Sequence, residues 1–239
     1  MSNKLIIANW KENIQSLAQA QEILEFVDQY LSTSEKNLDL VICPPTALIE
    51  DVSKTLQTSH LAKYAILGAQ DINMDNESIL SKLGTRYIIV GHSDHRWKAG
   101  ESDEVVNQKL KSVLQNGMTP VVCLGEKTRD GEYKQFLKEQ TEKTFVGLSE
   151  EEISKCLIAY EPVWAISTSP VTQPDTPESA LESIQVIKDT LKLDLKYLYG
   201  GSVNSTNVEA FLSQLEISGV LIGSASTKKD EFIKILSLI

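Results

Sequence analysis

Three cysteines in 239 residues, without paired spacing, leave no disulfide framework to staple a fold. Cys43, Cys123 and Cys156 each lie inside an apolar run, which reads as buried, reduced thiols in a reducing compartment such as the cytoplasm. Cations are also in short supply: 23 Lys and Arg face 33 Asp and Glu, for a net charge of −10 and a pI near 4.9. That balance argues against nucleic acid or an anionic membrane as the main partner. It also requires any anionic substrate to find a positive site built locally. Long hydrophobic runs are missing too. The first apolar run, Leu5-Ile6-Ile7-Ala8, is too short for the core of a signal peptide, and none approaches membrane-spanning length. No linker, low-complexity tract or composition shift divides the chain, so residues 1–239 are read as one domain.

What the chain does contain is a repeating unit: a short apolar run, a polar turn, then an amphipathic stretch. Eight runs can be counted, at Leu5–Ala8, Leu40–Cys43, Ala65–Ala69, Tyr87–Val90, Pro120–Leu124, Leu157–Tyr160, Tyr197–Tyr199 and Val220–Ile222. Short runs rich in Val and Ile fit parallel strands buried on both faces. Helical spacing joins Leu17, Ala20, Ile23, Leu24, Val27 and Leu31. It also joins Val105, Val106, Leu110, Val113 and Leu114, with Gly117 placed to cap that helix. Thr176-Pro177-Glu178 opens a further helix as cap, first position and first-turn acid, followed by the stripe Ala180, Ile184, Ile187 and Leu191. Eight such units in a chain of this length predict an α/β fold of the closed (β/α)8 barrel type. A doubly wound open sheet is the alternative, but no G-x-G-x-x-G turn follows the first strand.

Such barrels place their active sites at the C-terminal ends of the strands. Those ends carry Asn9 and Lys11, Pro44-Pro45, Gln70-Asp71, His92, Gly125-Glu126, Glu161, Gly200-Gly201-Ser202 and Gly223-Ser224. Glu161 stands where an apolar strand meets the proline-stiffened turn Pro162-Val163-Trp164, ahead of small polar loop residues. A dry carboxylate there suits a general base, because desolvation raises its pKa. A buried acid paired with a cation would look the same. Lys11 is a candidate for the positive potential the site needs, or simply a solvated charge. The glycine turns after the seventh and eighth strands offer backbone N–H groups to a phosphate, although tight turns use glycine anyway. His92 and His95 do not make a convincing metal pair, since that spacing at a strand end turns the rings to different faces. With no H-E-x-x-H and no third ligand cluster, no metal is expected. His60 reads as a surface residue.

Seven ordered motifs then carry a resemblance. They are Asn9-Trp10-Lys11, Gly68-Ala69-Gln70, Val90-Gly91-His92-Ser93, Gly100-Glu101-Ser102-Asp103, Cys123-Leu124-Gly125-Glu126, Ala159-Tyr160-Glu161-Pro162-Val163-Trp164-Ala165-Ile166 and Tyr199-Gly200-Gly201-Ser202-Val203. Together they cover nearly the whole chain and resemble the triosephosphate isomerase family. The resemblance implies interconversion of dihydroxyacetone phosphate and glyceraldehyde 3-phosphate in glycolysis and gluconeogenesis. It implies Glu161 as base, His92 as neutral electrophile and proton shuttle, Lys11 as positive charge and Asn9 as hydrogen-bond partner. Ser167, Ser202, Gly223 and Ser224 would hold the substrate phosphate. No cofactor is implied, and the partner is a small phosphorylated triose.

Departures from the family pattern set further expectations. The lid that usually reads isoleucine-glycine-threonine-glycine-lysine is here Ile166-Ser167-Thr168-Ser169-Pro170, which stiffens the hinge near Pro170. Ser224 replaces a glycine of the last phosphate turn. Asp94 and His95 stand where glutamate and arginine are usual, so Lys11 is held differently and an arginine that helps order the interface is gone. Only residues 71–78 separate Gln70 from Ile79-Leu80, where an apolar helix face is expected to begin. The family's longer loop enters a neighbouring subunit. The expectation is therefore a weak homodimer in monomer–dimer equilibrium, losing activity on dilution if the Lys11 loop depends on its neighbour. Two other functions remain in view: an isomerase for a longer ketose phosphate such as an erythrulose phosphate, and a non-catalytic barrel binding a phosphometabolite.

Overall fold

The computed structural model describes residues 3–33, 38–73, 75–166 and 174–239. Each of the eight apolar runs is a strand: β1 (Lys4–Asn9), β2 (Leu38–Cys43), β3 (Ala65–Ala69), β4 (Tyr87–Val90), β5 (Thr119–Leu124), β6 (Leu157–Tyr160), β7 (Lys196–Tyr199) and β8 (Ile217–Ile222). They pair in parallel in chain order, and β8 returns to β1 with Leu5 opposite Gly219. Closure removes both sheet edges and rules out the open-sheet alternative.

Strand residues alternate between two apolar layers. Ile7, Val41, Ile89, Val121, Leu198 and Leu221 pack together inside the barrel. Ile6, Ile42, Val90, Val122, Ile158 and Ile222 turn outward into a second core shared with the helices. With both faces buried, a polar residue in mid-strand would lose its water on either side, so the runs are continuously apolar.

The outer ring holds α1 (Leu17–Thr33), α2 (Ile49–Thr58), α3 (Glu77–Lys82), α4 (Asp103–Gln115), α5 (Tyr133–Thr144), α6 (Glu150–Ile153), α7 (Pro177–Leu191), α8 (Val208–Leu212) and α9 (Lys229–Ser237). The stripe of α1 buries Ala20, Ile23, Leu24, Val27 and Leu31, while Leu17, at its first residue, is only half-buried. In α4, Val106, Leu110 and Val113 are buried, but Val105 faces solvent. This helix stops as its sequence says. Gly117, at φ +70°, donates to Leu114 O and Met118 donates to Val113 O, so two end carbonyls are satisfied. Thr176 caps α7 by accepting the Ser179 N–H at 3.2 Å, with Pro177 at the first helical position.

The segment after β3 departs from expectation. Its helix α3 begins at Glu77 and has six residues, of which Leu80 is buried while Ile79 is 54% exposed. One and a half turns point a single side chain at the barrel, so Ile79 does not begin the apolar face. The three thiols are buried and free, and burial, helped by the nearby Glu152 carboxylate, pushes Cys156 up to about 12. Among the described residues no helix is long and apolar enough to cross a membrane.

Candidate functional site

At the C-terminal end of the barrel a cavity of about 350 Å³ opens. Asn9, Lys11, His92, Glu161, Ser202, Gly223 and Ser224 all line it, although they are spread over more than two hundred residues of sequence. The closed topology brings them together, because every strand ends on this one rim. Ser167 lies outside the described residues, as do Thr168, Ser169 and Pro170.

Lys11 is held by main-chain contacts on both sides. Its N–H donates to Asn9 Oδ1 at 3.1 Å, and its carbonyl accepts from Gln70 Nε2 at 3.0 Å. Gln70 also reaches Cys43 O at 3.1 Å, so the ends of β2 and β3 anchor the loop after β1. Lys11 itself sits at φ +49°, a left-handed conformation that costs a non-glycine residue about 1 kcal/mol or more. The surrounding contacts maintain that backbone. Its ammonium pairs with Asp94 Oδ2 at 3.0 Å. Burial would raise the Asp94 carboxyl, but Lys98 and Lys11 hold it well below the usual carboxylate range. The shorter acid at position 94 therefore still reaches Lys11.

His92 follows β4 and is buried. The Asp94 backbone N–H points at its Nδ1, at 3.2 Å. That donor occupies the Nδ1 lone pair and leaves the ring proton on Nε2, which faces Glu161 Oε1 at 3.0 Å. The Asp94 carboxylate is 3.5 Å from Nδ1, too far to compete for it. Arg96 fixes this turn from behind. Buried itself, it donates to Gly91 O at 2.7 Å and to Asp103 at 2.6 Å.

Glu161 is 3% exposed. Its backbone N–H bonds Leu124 O, and Gly125 beside it must be glycine, since a Cβ there would lie 1.9 Å from Glu161 O. Its carboxylate accepts the Ser93 N–H and the Ser93 hydroxyl, both at 2.8 Å. These contacts correct the expectation from burial. Desolvation does push the carboxyl up, but His92, Lys11 and the Ser93 N–H outweigh it, and the net shift is downward. In this arrangement Glu161 is a stabilised anion resting on Ser93.

Behind Glu161, Glu126 ties the turn that follows it to β6. Almost fully buried, Glu126 accepts from Tyr160 OH at 2.8 Å, Trp164 Nε1 at 2.9 Å and Arg129 at 3.1 Å. Trp164 thereby fixes the start of the segment that leaves the rim. On the opposite side of the cavity, Gly200-Gly201-Ser202 and Gly223-Ser224 form two short turns, and the Lys11 side chain passes over Gly223. This half is lined with backbone and small side chains, the half around Glu161 with titratable groups.

Sequence reasoning assigned no role to Ser93, although it sits in the Val-Gly-His-Ser motif. It also overlooked Asn13, Asn204 and Lys228, which line the same cavity. His92 and His95 do face apart. His95 turns to Asp71 and Glu101, with Nδ1 at 3.7 and 3.3 Å. His60 is exposed beside Asp28, at 3.9 Å.

The full chain has clear relatives. A family profile described as triosephosphate isomerase matches residues 4–239. A triosephosphate isomerase from Fusobacterium nucleatum is 35% identical over 99% of this chain and 98% of its own length. The enzyme from Buchnera aphidicola is 33% identical over 100% and 98%, and that from a Thermoanaerobacter species 31% over 99% and 100%. With the barrel, the rim and the ordered motifs all in agreement, this chain belongs to the triosephosphate isomerase family.

Proposed function

We propose that this chain interconverts dihydroxyacetone phosphate and D-glyceraldehyde 3-phosphate through an enediolate. The observation that carries the reading is the contact between the Glu161 carboxylate and His92 Nε2, 3.0 Å apart, in a cavity that also holds Lys11 and Asn9. Proton abstraction beside a carbonyl needs a base and an electrophile on one substrate, and these two groups already share one wall.

Glu161 removes a proton from C1 of the ketose. The electron pair moves into the C1–C2 bond, and negative charge develops on the carbonyl oxygen. His92 Nε2–H and the Lys11 ammonium meet that charge, and Asn9 hydrogen-bonds the oxygens. His92 carries the hydroxyl proton from O1 to O2, and Glu161 returns a proton to C2. The substrate carbonyl is the electron sink, so the reaction requires no cofactor. Lys11, the turns at Ser202, Gly223 and Ser224, and Ser167 on the lid hold the phosphate.

Glu161 must first leave Ser93. Substrate atoms entering between Glu161 and His92 replace those hydrogen bonds. The carboxylate then keeps its desolvation while losing its donors, and its basicity rises when the proton must be taken. A coupled assay with both three-carbon substrates tests the reading, with a four-carbon ketose phosphate as comparison. Turnover of the three-carbon pair with weak or no turnover of the larger sugar is expected. Preference for the larger sugar, or binding without turnover, would overturn it.

A further inference from the structure

A dense polar cluster lies behind the Lys11 loop, outside the catalytic contacts. Asp71, His95 and Glu101 present ligand atoms within 4.8 Å of one another, a grouping that resembles a cation site. The cation is already supplied by the protein. The Lys109 ammonium, on α4, bonds both Asp71 oxygens at 2.6 Å and also bonds Glu101 Oε1. Two carboxylates and one ammonium leave one negative charge unbalanced. His95 Nδ1 stands 3.3 Å from Glu101 Oε1 and 3.7 Å from Asp71 Oδ2, so the ring lies against both carboxylates.

The cluster spans three elements that support Lys11. Asp71 directly follows Gln70, whose amide holds the Lys11 carbonyl. Glu101 precedes α4, and its N–H bonds the His95 carbonyl at 3.1 Å. His95 directly follows Asp94, whose carboxylate holds the Lys11 ammonium and whose N–H fixes His92 Nδ1. Asp71, Glu101 and Lys109 face His95 from the elements packed against it, and Asp94, Arg96 and Lys98 are the charges on its own turn.

We propose that His95 is a positioning residue. Its ring contact with Glu101 and Asp71 pins the turn at 94–98, and through Asp94 it sets the position of the Lys11 ammonium. The proposal rests on the isomerase reading for the role of Lys11, but it concerns a residue that touches no substrate. His95 lies one residue from Asp94, so loosening its anchor moves the carboxylate that holds Lys11. A displacement of about 1 Å at a catalytic group costs on the order of 10²-fold in rate, so a partial one costs roughly tenfold.

The test compares His95→Ala with His95→Arg, each folded by circular dichroism and thermal unfolding. Two readouts are taken, steady-state kinetics and the affinity for inorganic phosphate. His95→Ala is expected to lower kcat/KM about tenfold, with KM raised and kcat lowered together, and to weaken phosphate binding in parallel. His95→Arg, a permanent cation that also donates hydrogen bonds, is expected to recover both to within about twofold. The proposal is overturned if the alanine variant keeps wild-type KM and phosphate affinity, or if arginine is no better than alanine. Should the alanine variant not fold, Glu101→Gln removes the other half of the contact and the same joint loss in KM and kcat is required. An inactive wild-type protein would sink the isomerase reading instead, and the phosphate measurements would still judge His95.

Discussion

Shortening the base by one carbon is the perturbation whose outcome the site geometry constrains most tightly. In Glu161→Asp the charge stays and the carboxylate withdraws by about 1.5 Å, the length of one C–C bond. Glu161 now reaches His92 Nε2 at 3.0 Å and both Ser93 donors at 2.8 Å. Its backbone is fixed by Leu124 O and by the close approach of Gly125, so it cannot slide forward to compensate. A misplacement of about 1 Å costs on the order of 10²-fold. The fall in kcat is therefore about 10²–10³-fold, equivalent to roughly 3–4 kcal/mol of barrier. KM changes by less than about threefold, because the phosphate contacts lie across the cavity and the lost interaction belongs to the transition state. Glu161→Gln abolishes the base and falls further, by about 10⁴-fold. Initial rates in both directions with a coupling enzyme give these numbers. A glutamine variant within tenfold of wild type would refute the assignment of Glu161 as base.

Lys11→Ala raises KM and lowers kcat together, since one ammonium serves both phosphate and enediolate in a protein of charge −10; an unchanged pair of constants removes Lys11 from the mechanism. Folding stability falls at acid pH through Glu161. Its carboxyl is lower in the folded chain than in the unfolded one, so its contribution is present above the ordinary carboxylate range and lost as pH drops through the folded value. Thermal unfolding from neutral pH downward follows that loss, and Glu161→Gln shows a shallower acid limb; equal slopes would mean the anion is not stabilised by its partners. Dilution tests the assembly. A short segment after β3 favours a weak dimer, but Asn9, Gln70 and Asp94 of the same chain hold Lys11. Specific activity is therefore expected to survive dissociation, measured by sedimentation and assay over one concentration series, and a loss that tracks dissociation would show that the loop needs a neighbour.

The barrel was legible because its physics is local. Buried parallel strands demand continuous apolar runs, and helix ends such as Thr176-Pro177 and Gly117 carry their stop and start chemistry in the sequence. The rim residues followed from topology, since every strand end faces one side. Contacts across the fold were not legible. Ser93 meets Glu161 across 68 positions, and Lys109 meets Asp71 across 38, so no periodicity signals either pair. The strained backbone of Lys11 was equally hidden, because lysine carries no local preference for φ +49°. The expectation of a raised Glu161 failed for the same reason: burial can be read from an apolar run, but the donors that offset it come from elsewhere in the chain.

Isomerisation in deuterated water reads out the proton transfer at Glu161 itself. A carboxylate that takes a proton from one carbon and returns it to the next exposes that proton to exchange with solvent. Product formed from unlabelled ketose phosphate should then carry deuterium at C2, and the recovered ketose should gain deuterium at C1. Glu161→Gln should abolish turnover and labelling together. Efficient turnover with no deuterium at either carbon would mean that hydrogen moves directly between the carbons, and the enediolate account would fail.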